Sequence, residues 1–174
     1  MKDREDIIEL YLQNIPTDPD LDVSVLARGT PGSSGAELYN MVNAAAIQAS
    51  IEGKTCLTQE DLEFAKDKIL MGAERKSFVM RPQEVWNTCC HEGGHALIAM
   101  LTPGADPIHK ATIIPRGRSL GHVLQLPEQD VVSLTRTQIM ARIDVCMGGR
   151  VAEELMFGRN RVTTGATNDM QQAT

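Results

Sequence analysis

The sequence predicts a mainly α-helical protein in two parts: a unit of four helices, then a mostly helical unit with a small β-hairpin. Three observations carry this prediction. Apolar residues recur at helical spacing behind helix-start signals over residues 1–73. A polar stretch containing Pro82 then interrupts the pattern, and β-branched residues bounded by Pro and Gly follow the next helical run. We therefore predict a linker over 74–87 and a second domain over 88–174.

The helices of the first part have separate start and stop signals. The run REDIIELYLQ is stopped by a proline, a short segment over 23–27 follows, and the break RGTPGSSG leads into a third helix. That helix begins with the capping-box pattern SGAE and continues to Ile51, where a glycine soon follows. The pattern TQED then starts a fourth helix that runs to Met71. Few side chains in this part could perform chemistry.

The second part places a hairpin between two long helices. The run CCHEGGHALIAML predicts a helix that breaks at 102–104, and KATIIPRGRSLGHVLQLPEQD predicts two short paired strands. The run LTRTQIMARIDVCMGGRVAEELMFG predicts a long helix. Two adjacent glycines inside that helix cost about 1 kcal/mol each relative to alanine, and a close approach of another helix would explain this cost. We expect the buried stripe of the long helix to follow i+4 spacing: Ile139, Ile143, Met147, Val151 and Leu155.

Composition excludes several classes of function. The chain has 174 residues and a formal net charge of −6, which argues against a nucleic-acid partner because phosphate binding needs a basic face. No apolar run approaches the roughly 18 residues that span a bilayer. The four cysteines form no C-x-x-C pair, so we predict free thiols in a reducing compartment. The sequence ends on TNDMQQAT without a helix-stop signal, which indicates a piece of a longer protein.

The pattern His91-Glu92-x-x-His95 has a chemical reason for its spacing. Residues four apart share one helical face, so both imidazoles can reach one zinc ion, which also takes a third protein ligand and leaves a position for water. Glu92 lies one step around the helix, where it can act as general base without ligating the metal. An ordinary helix with surface histidines is the alternative. The intervening Gly93 and Gly94 indicate that something needs backbone clearance there.

The identity of the third ligand stays open at the level of residue types and spacing. The metzincin continuation of the motif is excluded because Ile98 and Leu101 stand where it requires Gly and His. Two histidines and three carboxylates remain: His109, His122, Glu153, Glu154 and Asp169. Asp169 also has the simpler interpretation of a first-turn helix carboxylate, with Thr167 as the N-cap residue.

Several longer stretches resemble one family. HEGGHALIA, ATIIPRG, LGHV, MGGRVAEELMFG and VTTGATNDMQQAT look like the peptidase domain of FtsH-type ATP-dependent zinc proteases. LARGTPGSSGAEL, NAAAIQAS and LEFAKDKILMGAERKS resemble the helical lid of the AAA ATPase module that precedes that peptidase. Within that family, these stretches are most similar in sequence to the mitochondrial i-AAA (Yme-type) branch. The resemblance implies a four-helix AAA lid over 1–73 and a zincin-type peptidase domain, cut short at its C-terminal end, over 88–174.

The resemblance also implies roles for particular residues. His91 and His95 match the zinc histidines of the family and Glu92 its catalytic base. The aspartate of the T-T-G-A-x-N-D segment, the family's third zinc ligand, falls on Asp169. Glu153 then becomes a neighbouring carboxylate behind the ligands.

For the intact parent protein, the resemblance implies Zn²⁺ and ATP as cofactors, a homo-hexamer, and unfolded polypeptide substrates lying extended along an edge strand near ATIIPRG. It implies a membrane anchor elsewhere in the parent, in the mitochondrial inner membrane or alternatively a bacterial inner membrane or the plastid thylakoid. In the lid, Gly35 and Ala36 match positions at the edge of the nucleotide site.

Two other functions compete with this interpretation: a non-catalytic relative used for assembly or binding, and a stand-alone zinc peptidase. The sequence contains no Walker A or Walker B motif and no pore loop. We therefore expect the chain alone neither to hydrolyse ATP nor to unfold proteins.

Overall fold

The structure is a computed structural model that describes residues 1–117, 119–131 and 133–174. Residue 118, in the turn of the predicted hairpin, lies outside the described part. The chain divides into two compact units, Met1–Ala73 and Glu74–Thr174. Its described residues form seven α-helices and a two-stranded antiparallel sheet, which confirms the predicted mainly α class with a small hairpin.

The first unit contains the four predicted helices: α1 (Lys2–Leu12), α2 (Val23–Arg28), α3 (Gly35–Ile51) and α4 (Gln59–Met71). Both predicted capping boxes are present. The backbone N–H of Ser34 donates to the Glu37 carboxylate at 2.7 Å at the start of α3. Asp61 accepts from the backbone N–H of Thr58 at 3.0 Å at the start of α4. These caps satisfy backbone donors that the first turn of a helix leaves unpaired.

The core of the first unit is apolar and made mostly of aliphatic side chains. Its buried members come from all four helices and the segment before α4: Ile8, Leu12, Leu26, Ala27, Leu38, Met41, Val42, Ala45, Ala49, Leu57, Leu62 and Ala65. This is the core expected for a chain in which only 3% of residues are aromatic.

The second unit contains α5 (Pro82–Leu101), β1 (Ile108–Thr112), β2 (His122–Gln125), α6 (Arg136–Phe157) and α7 (Thr167–Ala173), with single 3₁₀ turns at Arg159–Arg161 and Thr164–Ala166. The start of α5 corrects the sequence prediction, because residues 82–87 of the expected linker are helical. Pro82 occupies the first turn, where its missing N–H costs nothing, and Glu84 accepts from the Arg81 backbone N–H at 2.9 Å.

Helices α5 and α6 pack closely through glycine, as the glycine pair in α6 predicts. A Cβ on Gly94 would lie 2.6 Å from the Cβ of Ala152 and closer still to the Gly148 carbonyl oxygen. A Cβ on Gly148 would lie 2.7 Å from the Gly94 carbonyl oxygen. Gly93 differs, because a Cβ there would meet nothing within 4 Å. The close approach therefore explains Gly94 and leaves Gly93 without a packing reason.

The predicted buried stripe of α6 is wrong. Leu155 is 80% exposed, Ile139 and Val151 are each 45% exposed, and the buried positions are instead Ala141, Val145, Gly148, Gly149 and Glu153. The buried positions Ala141, Val145, Gly149 and Glu153 also follow i+4 spacing, but they are offset by two residues, or about 200° around the helix, from the predicted ones. The buried face therefore lies on the opposite side of α6, and it is lined by small residues and one carboxylate.

The hairpin pairs β1 with β2 in antiparallel register, with Thr112 opposite His122 and Ala111 opposite Val123. A register irregularity lies near the start of β1, between Ile108 and Lys110. The four cysteines are free and partly buried. Among the described residues, no helix has both the length and the apolar character needed to cross a membrane.

Candidate metal centre

Three candidate ligand atoms converge between α5, α6 and α7. The Nε2 atoms of His91 and His95 lie 3.0 Å apart. Asp169 Oδ2 lies 3.2 Å from His91 Nε2 and 3.4 Å from His95 Nε2. Both histidines come from one face of α5, as the four-residue spacing predicts, and Asp169 comes from the first turn of α7. The structure therefore brings together two imidazoles and a carboxylate that are 74 residues apart in sequence.

The other ring nitrogen of each histidine is held by α6. His91 Nδ1 lies 2.8 Å from Glu153 Oε1 and His95 Nδ1 lies 2.7 Å from the Val145 carbonyl oxygen. Both partners accept hydrogen bonds, which assigns the proton of each neutral imidazole to Nδ1 and leaves the lone pair on Nε2. The two lone pairs therefore face each other and Asp169. A backbone carbonyl such as that of Val145 leaves no signal in the sequence.

Gly149 gives the two imidazoles their room. A Cβ at this position would lie 2.5 Å from His95 Nε2 and 2.6 Å from His91 Cε1. The glycine pair of α6 therefore has two separate reasons: Gly148 allows the approach of α5, and Gly149 allows both rings to lie against the α6 backbone. The sequence indicated a close helix approach but gave no sign that the histidines are what approaches.

Asp169 is partly buried, and one of its two carboxylate oxygens is fully so. Its Oδ2 atom is inaccessible to solvent and makes no conventional hydrogen bond, although two ring nitrogens lie against it. Burial alone raises the pKa of the Asp169 carboxyl, but His91 and His95 outweigh it and hold that pKa below its usual range. A buried carboxylate oxygen with two imidazole nitrogens beside it is a set of ligand atoms that fits a cation.

Both histidines have a raised pKa in the metal-free chain. Burial lowers the pKa of His91 and His95, yet their contacts with Asp169 more than offset it. Glu153 adds to the rise for His91, and the Val145 carbonyl adds to it for His95. The site therefore attracts positive charge, as either protons or a metal ion.

Glu92 lies beside this cluster without joining it. Burial raises the pKa of its carboxyl, and the neighbouring His91 and His95 oppose the rise. Its side chain lies against Gly121, just before β2: a Cβ on Gly121 would stand 2.7 Å from Glu92 Cγ and 2.8 Å from Glu92 Oε1. The absence of a side chain at Gly121 thus makes room for the Glu92 carboxylate between α5 and the hairpin. Sequence reasoning missed this role.

The remaining third-ligand candidates lie elsewhere. His109 and His122 are exposed on the hairpin, and Glu154 Oε1 pairs with Arg159 Nε at 2.5 Å. The prediction that Thr167 is an N-cap residue is wrong: α7 begins at Thr167 itself, whose hydroxyl donates to the Thr164 carbonyl at 2.7 Å. The segment enters α7 from a 3₁₀ turn rather than from an extended cap.

The lid residues Gly35 and Ala36 form the first turn of α3 in the first unit, behind the Ser34 N-cap. Gly35 is partly exposed and Ala36 is exposed. Their contact with a nucleotide stays a prediction.

The second unit carries His-Glu-x-x-His on a long helix with a carboxylate beside both histidines, which is the motif of the zinc metallopeptidases. The chain belongs to peptidase family M41, whose family model matches residues 78–174. The AAA+ lid domain model matches residues 20–64. These matches confirm the family inferred from the motifs.

Full-length relatives come from plastids, mitochondria and bacteria. The chain is 56% identical over its whole length to the ATP-dependent zinc metalloprotease FTSH 11, chloroplastic/mitochondrial, of Arabidopsis thaliana, covering 22% of that protein. It is 54% identical to the ATP-dependent zinc metalloprotease FtsH of Neorickettsia risticii, over 98% of this chain and 27% of the relative. It is 48% identical over its whole length to the mitochondrial inner membrane i-AAA protease supercomplex subunit YME1 of Saccharomyces cerevisiae, covering 23%. The chain thus spans about a quarter of the length of these relatives.

Proposed function

We propose that the chain is the lid and part of the peptidase domain of an ATP-dependent zinc metalloendopeptidase, with Zn²⁺ held by His91, His95 and Asp169. The observation that carries the proposal is the triangle of two Nε2 atoms and one carboxylate oxygen, with sides of 3.0, 3.2 and 3.4 Å. Zinc–nitrogen distances of 2.0–2.1 Å at tetrahedral angles place ligand atoms about 3.3 Å apart. The triangle has the size and the donor types that zinc prefers, and the orphaned Asp169 Oδ2 lies at its third corner.

When bound, zinc would supply Lewis-acid chemistry: a water of lowered pKa and a polarised scissile carbonyl. The chain supplies the proton transfers. Glu92 accepts a proton from the attacking water on its carboxylate and then donates it to the amide nitrogen that leaves. Because burial raises the pKa of Glu92, its carboxylate is a stronger base than an exposed one would be. Glu153 and the Val145 carbonyl hold the proton on each Nδ1, so both imidazoles remain ligands during the reaction.

The hairpin next to Glu92 supports a binding mode for substrate. We infer that an extended polypeptide pairs with the edge of β1 through backbone hydrogen bonds, which read no particular side chain. Such a mode suits unfolded proteins of varied sequence. The acidic net charge of −6 gives no basis for nucleic-acid binding.

We extend the proposal to the parent protein on the strength of its relatives. Gly35 and Ala36 in the lid would contribute an edge of the ATP site, and six copies would form the working assembly. A membrane anchor outside this chain would hold it in the mitochondrial inner membrane, or alternatively in a bacterial inner membrane or the thylakoid. Two of the relatives named above, those of Arabidopsis thaliana and Neorickettsia risticii, carry both ATP dependence and zinc metalloprotease activity in their names.

The test is degradation of an unfolded protein by the full-length parent protein with Glu92→Gln, together with its zinc content. We expect loss of cleavage with zinc and ATP hydrolysis retained, because Glu92 moves protons and does not ligate the metal. Glu154→Gln is the matched control: this carboxylate pairs with Arg159 at the surface, and its loss should leave cleavage unchanged. Wild-type cleavage by Glu92→Gln would contradict the mechanism. A zinc-loaded wild type that cleaves nothing would favour a non-catalytic relative.

A further inference from the structure

Glu153 is the most deeply buried carboxylate of the second unit, with 2% of its surface exposed. Three donors meet it. Its Oε1 lies 2.8 Å from His91 Nδ1 and accepts from the Thr163 hydroxyl at 3.1 Å, while its Oε2 accepts from the Thr163 backbone N–H at 2.6 Å. Thr163 therefore contacts both oxygens of the carboxylate that holds His91.

Thr163 also lies on the segment that delivers Asp169. Its hydroxyl accepts from the Gly165 backbone N–H at 3.2 Å, which caps the 3₁₀ turn leading into α7. The contacts form a closed ring: Thr163 holds Glu153, Glu153 holds His91, His91 meets Asp169, and Asp169 returns to Thr163 through six residues of backbone. The Thr163 side chain thus connects Glu153, which holds Nδ1 of His91, to the segment that places Asp169 at Nε2 of the same ring.

We propose that Thr163 is a positioning residue for the metal site: by fixing the rotation of the Glu153 carboxylate, it holds the His91 proton on Nδ1 and the Nε2 lone pair toward Asp169. This inference rests on the proposed function. A carboxylate held at both oxygens presents Oε1 to Nδ1 in one orientation only. Without the hydroxyl, Glu153 keeps one bond to the backbone of residue 163 and can turn about it, so the hold on His91 loosens.

The simpler role, capping of the 3₁₀ turn alone, makes different predictions for three variants of the 174-residue chain. Thr163→Ser keeps the hydroxyl for both contacts. Thr163→Asp keeps an acceptor for the Gly165 N–H, as a good cap residue does, but cannot donate to Glu153 and places a second negative charge beside it. Thr163→Val removes both contacts at constant shape. Because residue 163 is exposed, none of these changes opens a cavity in a core.

We would measure zinc affinity by chelator competition. We would determine the tautomer of His91 in the metal-free chain by ¹⁵N chemical shifts, at a pH above the raised pKa of that ring so that the imidazole is neutral. Thr163→Ser should match the wild type in both. Thr163→Val should bind zinc about tenfold more weakly, the lower end of the range for partners behind a metal ligand, and Thr163→Asp more weakly still. In both of these variants, His91 should become a mixture of tautomers. Thr164→Val is the matched control and should change neither the zinc affinity nor the His91 tautomer.

Two outcomes overturn the proposal: wild-type zinc affinity and tautomer in Thr163→Val, or wild-type behaviour in Thr163→Asp, which would reduce the residue to a cap. A wild-type chain that binds no zinc would count against the proposed function instead. The tautomer of His91 would still decide the role of Thr163, because it is measured without metal.

Discussion

The two units of the chain use their interiors for different purposes. The first unit buries twelve apolar residues in one cluster, and two of its buried charges pair locally: Asp61 with Lys54 at 2.6 Å and Lys66 with Glu63 at 2.7 Å. Among its described residues, the second unit buries five apolar ones, none larger than leucine: Ala99, Leu126, Ala141, Val145 and Ala166. Three of its buried polar residues, His91, His95 and Glu153, instead converge on one point.

The difference shows what a site inside a helix pair requires. The two histidine rings and the Glu153 carboxylate occupy the space between α5 and α6 that leucines would fill in an ordinary bundle. Glycine and alanine on the facing helix make that space available. The second unit therefore has less apolar stabilisation and more buried polarity than the first, and a bound cation would stabilise it by neutralising the cluster.

The largest expected effect comes from Gly149→Ala. Its Cβ would overlap both imidazoles, 2.5 Å from His95 Nε2 and 2.6 Å from His91 Cε1, so the rings must leave their present positions. We expect zinc affinity to fall about a hundredfold or more, beyond the loss typical of partners behind the ligands. Chelator competition measures it, with Gly93→Ala as control because a Cβ there meets nothing. Unchanged affinity would mean that the rings do not lie against α6.

Next in size is Leu26→Ala in the first unit. Leu26 is fully buried in the apolar cluster, and truncation of such a leucine costs about 2–5 kcal/mol. Thermal unfolding should show this loss in the first unit, while zinc affinity stays at the wild-type value. A fall in zinc affinity of the same size would show that the two interiors are not independent.

The stability of the two units should respond differently to pH. The raised pKa of His91 and His95 adds stability to the metal-free second unit that is fully present below about pH 6.5, the ordinary histidine value, and is lost as pH rises through the folded pKa. Zinc binding has the opposite sign, because protons compete for the same nitrogens: affinity should fall by up to about tenfold per histidine for each pH unit below those pKa values. Calorimetry with and without zinc tests both signs. The first unit contains no histidine and should show neither trend.

The smallest expected effect is a gain from Gly93→Ala. Gly93 lies in mid-helix with open space around its Cβ position, so alanine should stabilise α5 by up to about 1 kcal/mol. Gly94→Ala should do the reverse, since its Cβ would collide with α6. Thermal unfolding of the two variants compares neighbouring glycines directly. Equal effects would contradict the close contact of α5 and α6.

Local signals in the sequence predicted most of the fold. The capping boxes at Ser34 and Thr58 mark where α3 and α4 begin, because caps act within four residues. The burial of α6 was not predicted correctly, because the stripe was assigned to the larger apolar residues, whereas the buried face is lined by small residues and a carboxylate. The four-residue spacing predicted that His91 and His95 share a face.

The spacing of residues in the sequence could not identify the third metal ligand. Asp169 reaches the histidines only after a hairpin, a long helix and two turns bring the chain back, and a short motif contains no information about that path. The resemblance to the family pointed to Asp169, and the structure places its carboxylate at the two Nε2 atoms. The contribution of Val145 comes from a backbone carbonyl, which every residue type supplies, and that of Thr163 from a hydroxyl whose contact with Glu153 spans ten residues of sequence.

The most direct test of the account is zinc per chain after dialysis, measured by elemental analysis on the wild-type chain, Asp169→Ala and Glu92→Gln. We expect about one zinc per chain for the wild type and for Glu92→Gln, and lost or sharply weakened zinc for Asp169→Ala. A folded wild-type chain without zinc, or an Asp169→Ala variant that keeps it, would contradict the claim that His91, His95 and Asp169 form a metal centre.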